Sequence, residues 1–320
     1  QLKLRIEPLK DWQIMAELNY RNEAVQRHWD MQKIYTYTAD NQLRETDRKE
    51  SSVHEDAFFA DYINLNIYSD YAKTFSNNHF FKVMAGFQAE SYKNNLFGAT
   101  RNGIMVPGID VIDKTTGLDA DGKLLPPTVN GAIGKWTTAG FFGRINYNYK
   151  NKYMIEGNLR YDGTSRFRRD NRWVWTPSVS LGWNIAHENF WESLRDIVST
   201  LKLRASYGKL ANQNTTSWYP TYVTMPLGTA NGSWLINGQR PNTANAPGLV
   251  STDLTWEKVQ TTNIGLDIAM LQNRLNVVFD WYIRDTKDMI GPAPVLPATL
   301  GTDPPRMNNT DLRTRGWELS

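Results

Sequence analysis

The sequence predicts an all-β protein, an antiparallel transmembrane β-barrel of which about ten strands are present. Three observations carry this. Apolar and polar residues alternate over one segment after another. Short and long polar connections alternate between those segments. No apolar run approaches the roughly 20 residues of a membrane-spanning helix.

The clearest segment is 152–162, where Tyr153, Ile155, Gly157, Leu159 and Tyr161 share one face and Met154, Glu156, Asn158, Arg160 and Asp162 the other. A strand has a side-chain period of two, so one face is apolar with a tyrosine at each end and the other is mostly polar. The same pattern predicts strands through Trp12–Tyr20, Ile63–Tyr71, Phe81–Ala89, Phe141–Tyr149, Pro177–Ile185, Leu201–Tyr207, Ile264–Ile268, Leu275–Ile283 and the terminal Gly316-Trp317-Glu318-Leu319-Ser320. Their length is close to the roughly 9–11 residues of a tilted bilayer crossing. Short turns are read at 76–79, 150–151 and 271–274. A helical turn is expected in 187–194, between two strands. Long polar segments are read at 21–56, 92–137, 162–174, 209–252 and 286–310. Connections beyond roughly 12–15 residues are uncommon in soluble domains. Short turns on one side and long loops on the other suit a barrel in an outer membrane. The Pro/Gly-rich stretch 291–305 reads as ordinary loop.

Composition narrows the function classes. In 320 residues, 36 basic side chains nearly balance 33 acidic ones for a net charge of +3, which gives no nucleic-acid surface. With no cysteine, disulfides, thiolate nucleophiles and cysteine-ligated metals are excluded. The 12 Trp and 15 Tyr fit an aromatic girdle, a carbohydrate-binding surface or both. The chain opens at Gln1 without a signal-peptide pattern and closes inside a strand-like run, so it is expected to be a piece of a longer protein.

From Tyr161 onward a family resemblance emerges. Tyr161-Asp162-Gly163-Thr164-Ser165-Arg166-Phe167, Asn171-Arg172-Trp173, Pro177-Ser178-Val179 and Leu181-Gly182-Trp183 resemble the central barrel signature of SusC/RagA-type TonB-dependent outer-membrane transporters. The resemblance continues through Leu201-Lys202-Leu203-Arg204-Ala205-Ser206-Tyr207-Gly208, Asn212-Gln213, Leu254-Thr255-Trp256-Glu257-Lys258, Asn263-Ile264-Gly265-Leu266-Asp267 and Asn273-Arg274-Leu275. It ends at Arg315-Gly316-Trp317-Glu318-Leu319; before Tyr147 only the pattern is similar. The resemblance implies that residues 1–320 form the middle-to-late part of a barrel of roughly 22 strands. The signal peptide, plug domain, TonB box and last strands would lie outside it. It implies import of oligosaccharides or peptides, energy relayed by TonB, a SusD-like surface lipoprotein as lid, a lipid bilayer around the wall and no cofactor.

Site residues follow from the pattern. The polar strand faces, with Glu156, Asn158, Arg160, Lys202, Arg204, Asp280 and Arg284, are expected to line the lumen or touch a plug. The loop aromatics Trp29, Tyr35, Tyr37, Trp136, Trp218, Tyr219, Tyr222 and Trp234 are candidates for substrate or lid contact, because flat rings stack on sugar faces and dominate interfaces; packing of the loops on themselves is the alternative. Arg166 and Arg168, with Arg169, could meet an anionic or sugar ligand through forked donors. The simpler reading makes their segment a turn held by Asp and Ser/Thr side chains, its arginines paired to acids or lipid headgroups. Strand aromatics such as Trp12, Tyr20, Tyr153, Tyr161, Trp183 and Trp281 read as interface-belt residues.

Catalysis and metal binding find little support. His28, His54, His79 and His187 have no ligand spacing and read as solvated positions. Asp61 with Asp70, or Glu188 with Glu192, lack the defined pocket of a glycosidase. Asp119-Ala120-Asp121-Gly122 lacks the later ligands of a calcium loop and reads as a turn. Two rivals stand beside the importer: a soluble or surface all-β carbohydrate-binding or adhesive protein, and a passive porin without TonB coupling.

Overall fold

The computed structural model describes residues 1–45, 49–215, 217–228, 231–293, 295, 297, 299 and 301–320. The strands, in chain order, are β1 (Leu2–Leu9), β2 (Trp12–Met31), β3 (Tyr35–Tyr37), β4 (Leu43–Glu45), β5 (Ser52–Phe75), β6 (His79–Asn102), β7 (Thr128–Tyr149), β8 (Tyr153–Thr164), β9 (Trp173–Asn184), β10 (Val198–Asn212), β11 (Leu227–Gly228), β12 (Thr243–Ala244), β13 (Glu257–Met270), β14 (Leu275–Ile290) and β15 (Asn308–Leu319). Eleven form one sheet in the order β1-β2-β5-β6-β7-β8-β9-β10-β13-β14-β15, and β3-β4 and β11-β12 are separate ribbons. The order follows the chain, so each long strand lies beside its neighbour in sequence.

Two differences from the sequence reading concern extent. The sheet has eleven strands because β1, unpredicted, pairs with β2 as Leu2↔Leu18, Leu4↔Ala16 and Ile6↔Ile14. The expected loops 21–56 and 92–137 are in part strand: β2 runs to Met31, β5 starts at Ser52, β6 runs to Asn102 and β7 starts at Thr128. Alternation fades there because both faces carry polar groups, yet ladder hydrogen bonds need no apolar face. Short and long connections alternate along the sheet except at β9, where the β8–β9 connection, 165–172, is shorter than the β9–β10 connection, 185–197.

The short turns rest on backbone geometry that non-glycine residues seldom adopt. Lys150 and Asn151 both have positive φ, 53° and 52°, and Lys152 N donates to Tyr149 O at 2.8 Å. Left-handed conformations at both central residues match the twist of the flanking strands. Ser76 with Asn77, and Leu271 through Asn273, do the same. The β9–β10 connection is richer, with the expected helical turn present as 3-10 segments at Ile185–His187 and Asn189–Leu194.

The chain divides into two compact units. One comprises Gln1–Leu18, Asn64–Glu90 and Trp136–Ser320. Register carries rows of like residues across it. One row runs Tyr147↔Ile155↔Leu181↔Ala205↔Ile264↔Trp281↔Trp317, and the next polar row runs Asn146↔Glu156↔Ser180↔Ser206↔Asn263↔Tyr282↔Gly316. The apolar row is not covered: Ile155 is 47% exposed, Leu181 50%, Ile264 46% and Trp317 67%. A soluble sheet buries that face and hydrates the other. Here the polar face holds the hydrogen-bond network and the apolar face is open, as in a sheet solvated by lipid. The only buried apolar cluster among the described residues of this unit is Phe167, Val174, Leu254 and Trp256, at the long-connection ends of the strands. Pro177, which has no N–H, lies just past Ser178↔Gly208, where the β9–β10 ladder stops.

The other unit comprises Asn19–Ile63 and Ser91–Lys135. Val53 is fully buried there, with Ala57, Ala60 and Thr115 close to it in burial. Arg27 forms a forked pair with Asp56, at 2.8 Å from Nε and 2.7 Å from Nη2. The 3-10 segment Ile112–Lys114 and a turn in which Asp119 Oδ1 accepts from Asp121 N and Lys123 N, with Gly122 at φ 78°, order its long connection. That last geometry is the turn read from the sequence.

Candidate functional site

The polar face of β7–β10, β13 and β14 is built by alternation and then wired by register. Asn146 and Asn158 amides both donate to Glu156, while Arg144 Nε donates to Asn158 Oδ1 at 2.6 Å. Arg160 grips Asp162 with Nε and Nη2, at 3.1 and 2.8 Å, and lies over the Phe142 ring. Arg204 spans two strands, its Nη2 reaching Asp267 at 2.8 Å and Asp280 at 3.1 Å. Lys202 and Arg204 border a cavity of about 470 Å³ that also involves Glu156, Ser206 and Asn263. Arg284 belongs to the row Asn158↔Ser178↔Gly208↔Thr261↔Arg284↔Thr314. All seven polar positions singled out in the sequence therefore share one face.

The aromatic and arginine candidates are more dispersed. Trp29 stacks on His54 at 3.6 Å between ring centroids and lies on β2, not in a loop. Tyr35 and Tyr37 are exposed on β3 of the other ribbon-bearing unit. Trp136 is also a strand residue, on β7, and its ring sits under the Arg166 guanidinium at 5.7 Å. Tyr219 and Tyr222 meet edge to face at 6.1 Å, and Trp218 lies in the same connection. Trp234 is exposed between β11 and β12. Arg168 is exposed before the 3-10 turn Arg169–Asn171.

The 161–167 turn departs from its expected wiring in two ways. Thr164 and Ser165 hydroxyls accept from the backbone N–H groups of Arg166 and Thr137, as expected, but Asp162 is held by Arg160. Arg166 meets no acid among the described residues; its Nη1 donates to Thr215 Oγ1 at 3.3 Å. Phe167 then plugs into the rim cluster edge-on to Trp256, whose Nε1 donates to Arg172 O at 2.8 Å. His54 and His79 are partly buried and hydrogen-bonded rather than free in solvent. His54 bonds Thr100 and Asp56, and His79 bonds the Tyr147 hydroxyl at 2.8 Å beside the Tyr149 ring.

On the short-turn side, Glu188 gathers three donors: Tyr153 Oη at 2.6 Å, Lys152 Nζ at 2.9 Å and Trp183 Nε1 at 3.1 Å. These bonds, the Tyr153 hydroxyl foremost and then Lys152, hold its carboxyl well below the usual range, at about 2. On the long-connection side, Tyr161 stacks between Trp173 and Trp175, at 4.8 and 4.3 Å. Aromatic residues thus gather at both ends of the apolar rows.

An up-and-down antiparallel sheet with an open apolar face, aromatic ends and a wired polar face defines the wall of an outer-membrane β-barrel. Residues 3–320 match the family described as "TonB dependent receptor-like, beta-barrel", and the chain belongs to that family. TonB-dependent receptor P39 of Formosa agariphila is 28% identical over all of this chain and 28% of its own length. TonB-dependent receptor SusC of Bacteroides thetaiotaomicron is 30% identical over 81% of this chain and 24% of its own. The chain thus spans about a quarter of the curated relatives it matches. Among solved structures, the RagAB peptide transporter superposes with a TM-score of 0.82 at 21% identity, over 98% of this chain and 32% of that one. That likeness establishes a shared fold, and the family places the protein in the outer membrane.

Proposed function

We propose that residues 1–320 form part of the wall of an outer-membrane importer of large nutrients, oligosaccharides first and peptides second. TonB energises it through a plug outside these residues, and a SusD-like surface lipoprotein acts as lid. The observation that carries the reading is the inverted sheet, with Ile155, Leu181 and Ile264 open on one face and Glu156, Arg204 and Asp280 hydrogen-bonded on the other. On this reading the apolar rows meet lipid, the polar rows line the lumen, and no bond is made or broken. Kinship with SusC and the fold of RagAB support it; a likeness at 21% identity carries the fold and not the cargo. The exposed Tyr35, Tyr37, Tyr219, Tyr222 and Trp234 support a stacking or lid-docking surface, and the sugar reading rests on them. Arg166, packed on Trp136, serves to order the rim, and Arg168 remains free to meet ligand.

The test is uptake of labelled oligosaccharide and peptide pools by cells carrying the full-length gene, with and without functional TonB. Uptake that disappears without TonB supports the importer, and uptake that persists assigns a passive porin. Extraction by buffer alone, without detergent, would sink the membrane reading altogether.

A further inference from the structure

The β9–β10 connection is the longest on the short-turn side, running through 185–197 as two 3-10 segments. Its backbone closes on itself. The N–H groups of Glu188, Trp191, Arg195 and Ile197 donate to the carbonyls of Ile185, Glu188, Glu192 and Leu194. Side chains occupy two further carbonyls, Arg195 Nε on Ala186 O at 3.1 Å and Trp191 Nε1 on Val198 O at 3.3 Å. A segment that satisfies its own polar backbone tolerates a place where water is scarce.

Glu188 fixes the side of the wall on which the connection lies. Its carboxylate accepts from Tyr153 Oη at 2.6 Å and from Trp183 Nε1 at 3.1 Å. Tyr153 and Trp183 are paired in register and share the open apolar face with Ile155 and Leu181. The connection is therefore drawn outward over that face, away from the polar one. Its exposed side chains suit the position: Phe190 is 68% exposed, and Leu194 and Ile197 are exposed with it. Ile197 O accepts from Leu271 N at 2.9 Å, which brings the β13–β14 turn alongside. Leu271 is exposed too, and its φ of 55° is one that leucine seldom adopts. Asn or Gly would turn the chain there at lower cost, so the turn itself does not explain an apolar residue. The other short turns carry Ser76, Asn77, Lys150 and Asn151 at such positions.

We propose that the 185–197 connection, with Leu271 beside it, is an interfacial foot. Its apolar side chains seat among the acyl chains of the periplasmic leaflet, held over the lipid-facing belt by Glu188. On an outer-membrane barrel the short turns face the periplasm. Continuity with the apolar rows decides the occupant. The foot starts at Tyr153 and Trp183 and carries the same surface past them, so lipid that wets Leu181 reaches Phe190 without a break. Exposed Glu192, Arg195 and Asp196 give the foot charges of both signs, which suits zwitterionic headgroups better than a purely anionic surface. The inference rests on the outer-membrane reading of the wall and adds to it the depth at which the wall is held.

The test is nitroxide labelling of the full-length protein, freed of any other cysteine, in phosphatidylethanolamine vesicles with a minor phosphatidylglycerol fraction. Residues 1–320 contain no cysteine, so Phe190→Cys, Leu194→Cys, Val179→Cys and Asn151→Cys each report one place. Val179, on the apolar face between Gly157 and Tyr207, is the lipid reference, and Asn151, in the β7–β8 turn, the aqueous one. Heat-modifiable gel migration confirms that each variant folds. Labels at 190 and 194 collide more often with oxygen than with a water-soluble nickel chelate, at roughly 5–10 Å below the headgroup boundary, and the label at 151 does the reverse. Adding Glu188→Ala moves the 190 label towards water; an unmoved label overturns the part assigned to Glu188. If 190 and 194 read as 151 does while 179 reads as lipid, the foot is overturned and the wall stands. If 179 reads as water as well, the membrane reading itself fails.

Discussion

Arg204 on β10 reaches Asp280 on β14 by passing over Gly265 of the intervening β13. The three are aligned by register as Arg204↔Gly265↔Asp280, and Nη2 to Oδ2 is 3.1 Å. A Cβ at position 265 would lie 2.5 Å from Asp280 Oδ1 and 2.7 Å from Arg204 Nη2. Gly265→Ala is therefore expected to push the pair apart and destabilise the sheet by about 0.5–1 kcal/mol, since the displaced atoms are the tips of two partly exposed, flexible side chains. Urea unfolding of the full-length protein in detergent checks this; an unchanged midpoint would show that the pair yields freely.

The apolar rows make a sharper prediction. Leu181 is flanked by Ile155 and Ala205 on the open face, whereas its neighbour Ser180 is in the polar row with Glu156 and Ser206. Leu181→Arg should cost about 1–2 kcal/mol in a bilayer, less than a cation at the lipid midplane because Leu181 lies two residues from the belt residue Trp183. Ser180→Arg, one residue away, should cost well under half of that. Equal effects in vesicle-reconstituted protein would refute the assignment of faces.

Acid should loosen the short-turn side through Glu188. Its carboxyl falls from an ordinary 4.5 to about 2 because Tyr153, then Lys152 and Trp183, donate to the ionised form. A lowered folded value means that its contribution is fully present above 4.5 and fades as pH falls towards about 2. Hydrogen exchange across residues 185–197 should accelerate through that window in the wild-type protein. In Glu188→Gln it should be faster at neutral pH and flat through the same window.

The turn at 150–151 offers a gain rather than a loss. Lys150 and Asn151 hold φ values of 53° and 52°, a conformation that Asn and Gly adopt more readily than Lys. Lys150→Asn with Asn151→Gly should stabilise the β7–β8 hairpin by about 0.5–1 kcal/mol, provided the loss of the Asn148–Asn151 side-chain bond is small. A lower unfolding midpoint for the pair would show that this side-chain bond outweighs the backbone relief.

Much of the wall was legible in the residues. Period-two alternation placed Glu156, Asn158, Arg160, Lys202, Arg204, Asp280 and Arg284 on one face, and the register bears that out. The extent of the strands was less so. At Arg21–Met31 and Tyr92–Asn102 polar residues occupy both faces, so the pattern vanishes while the ladder continues. Trp29 was read as a loop aromatic for that reason. Gln213, part of the family resemblance with Asn212, gave no sign of its burial, because an amide at a polar strand end is ordinarily solvated. Only its burial against residues from distant strands sets it apart.

The sequence by itself determined which side of each strand is oily and the rhythm of short and long connections. Both are local, since a side chain's face follows from its parity and a turn from its few residues. The tertiary structure decided which side chains meet: Arg204 with Asp280, Glu188 with Tyr153 and Phe167 with Trp256. Those partners are fixed by the offset between paired strands and by how each long connection folds back on the rim. Parity along one strand sets neither.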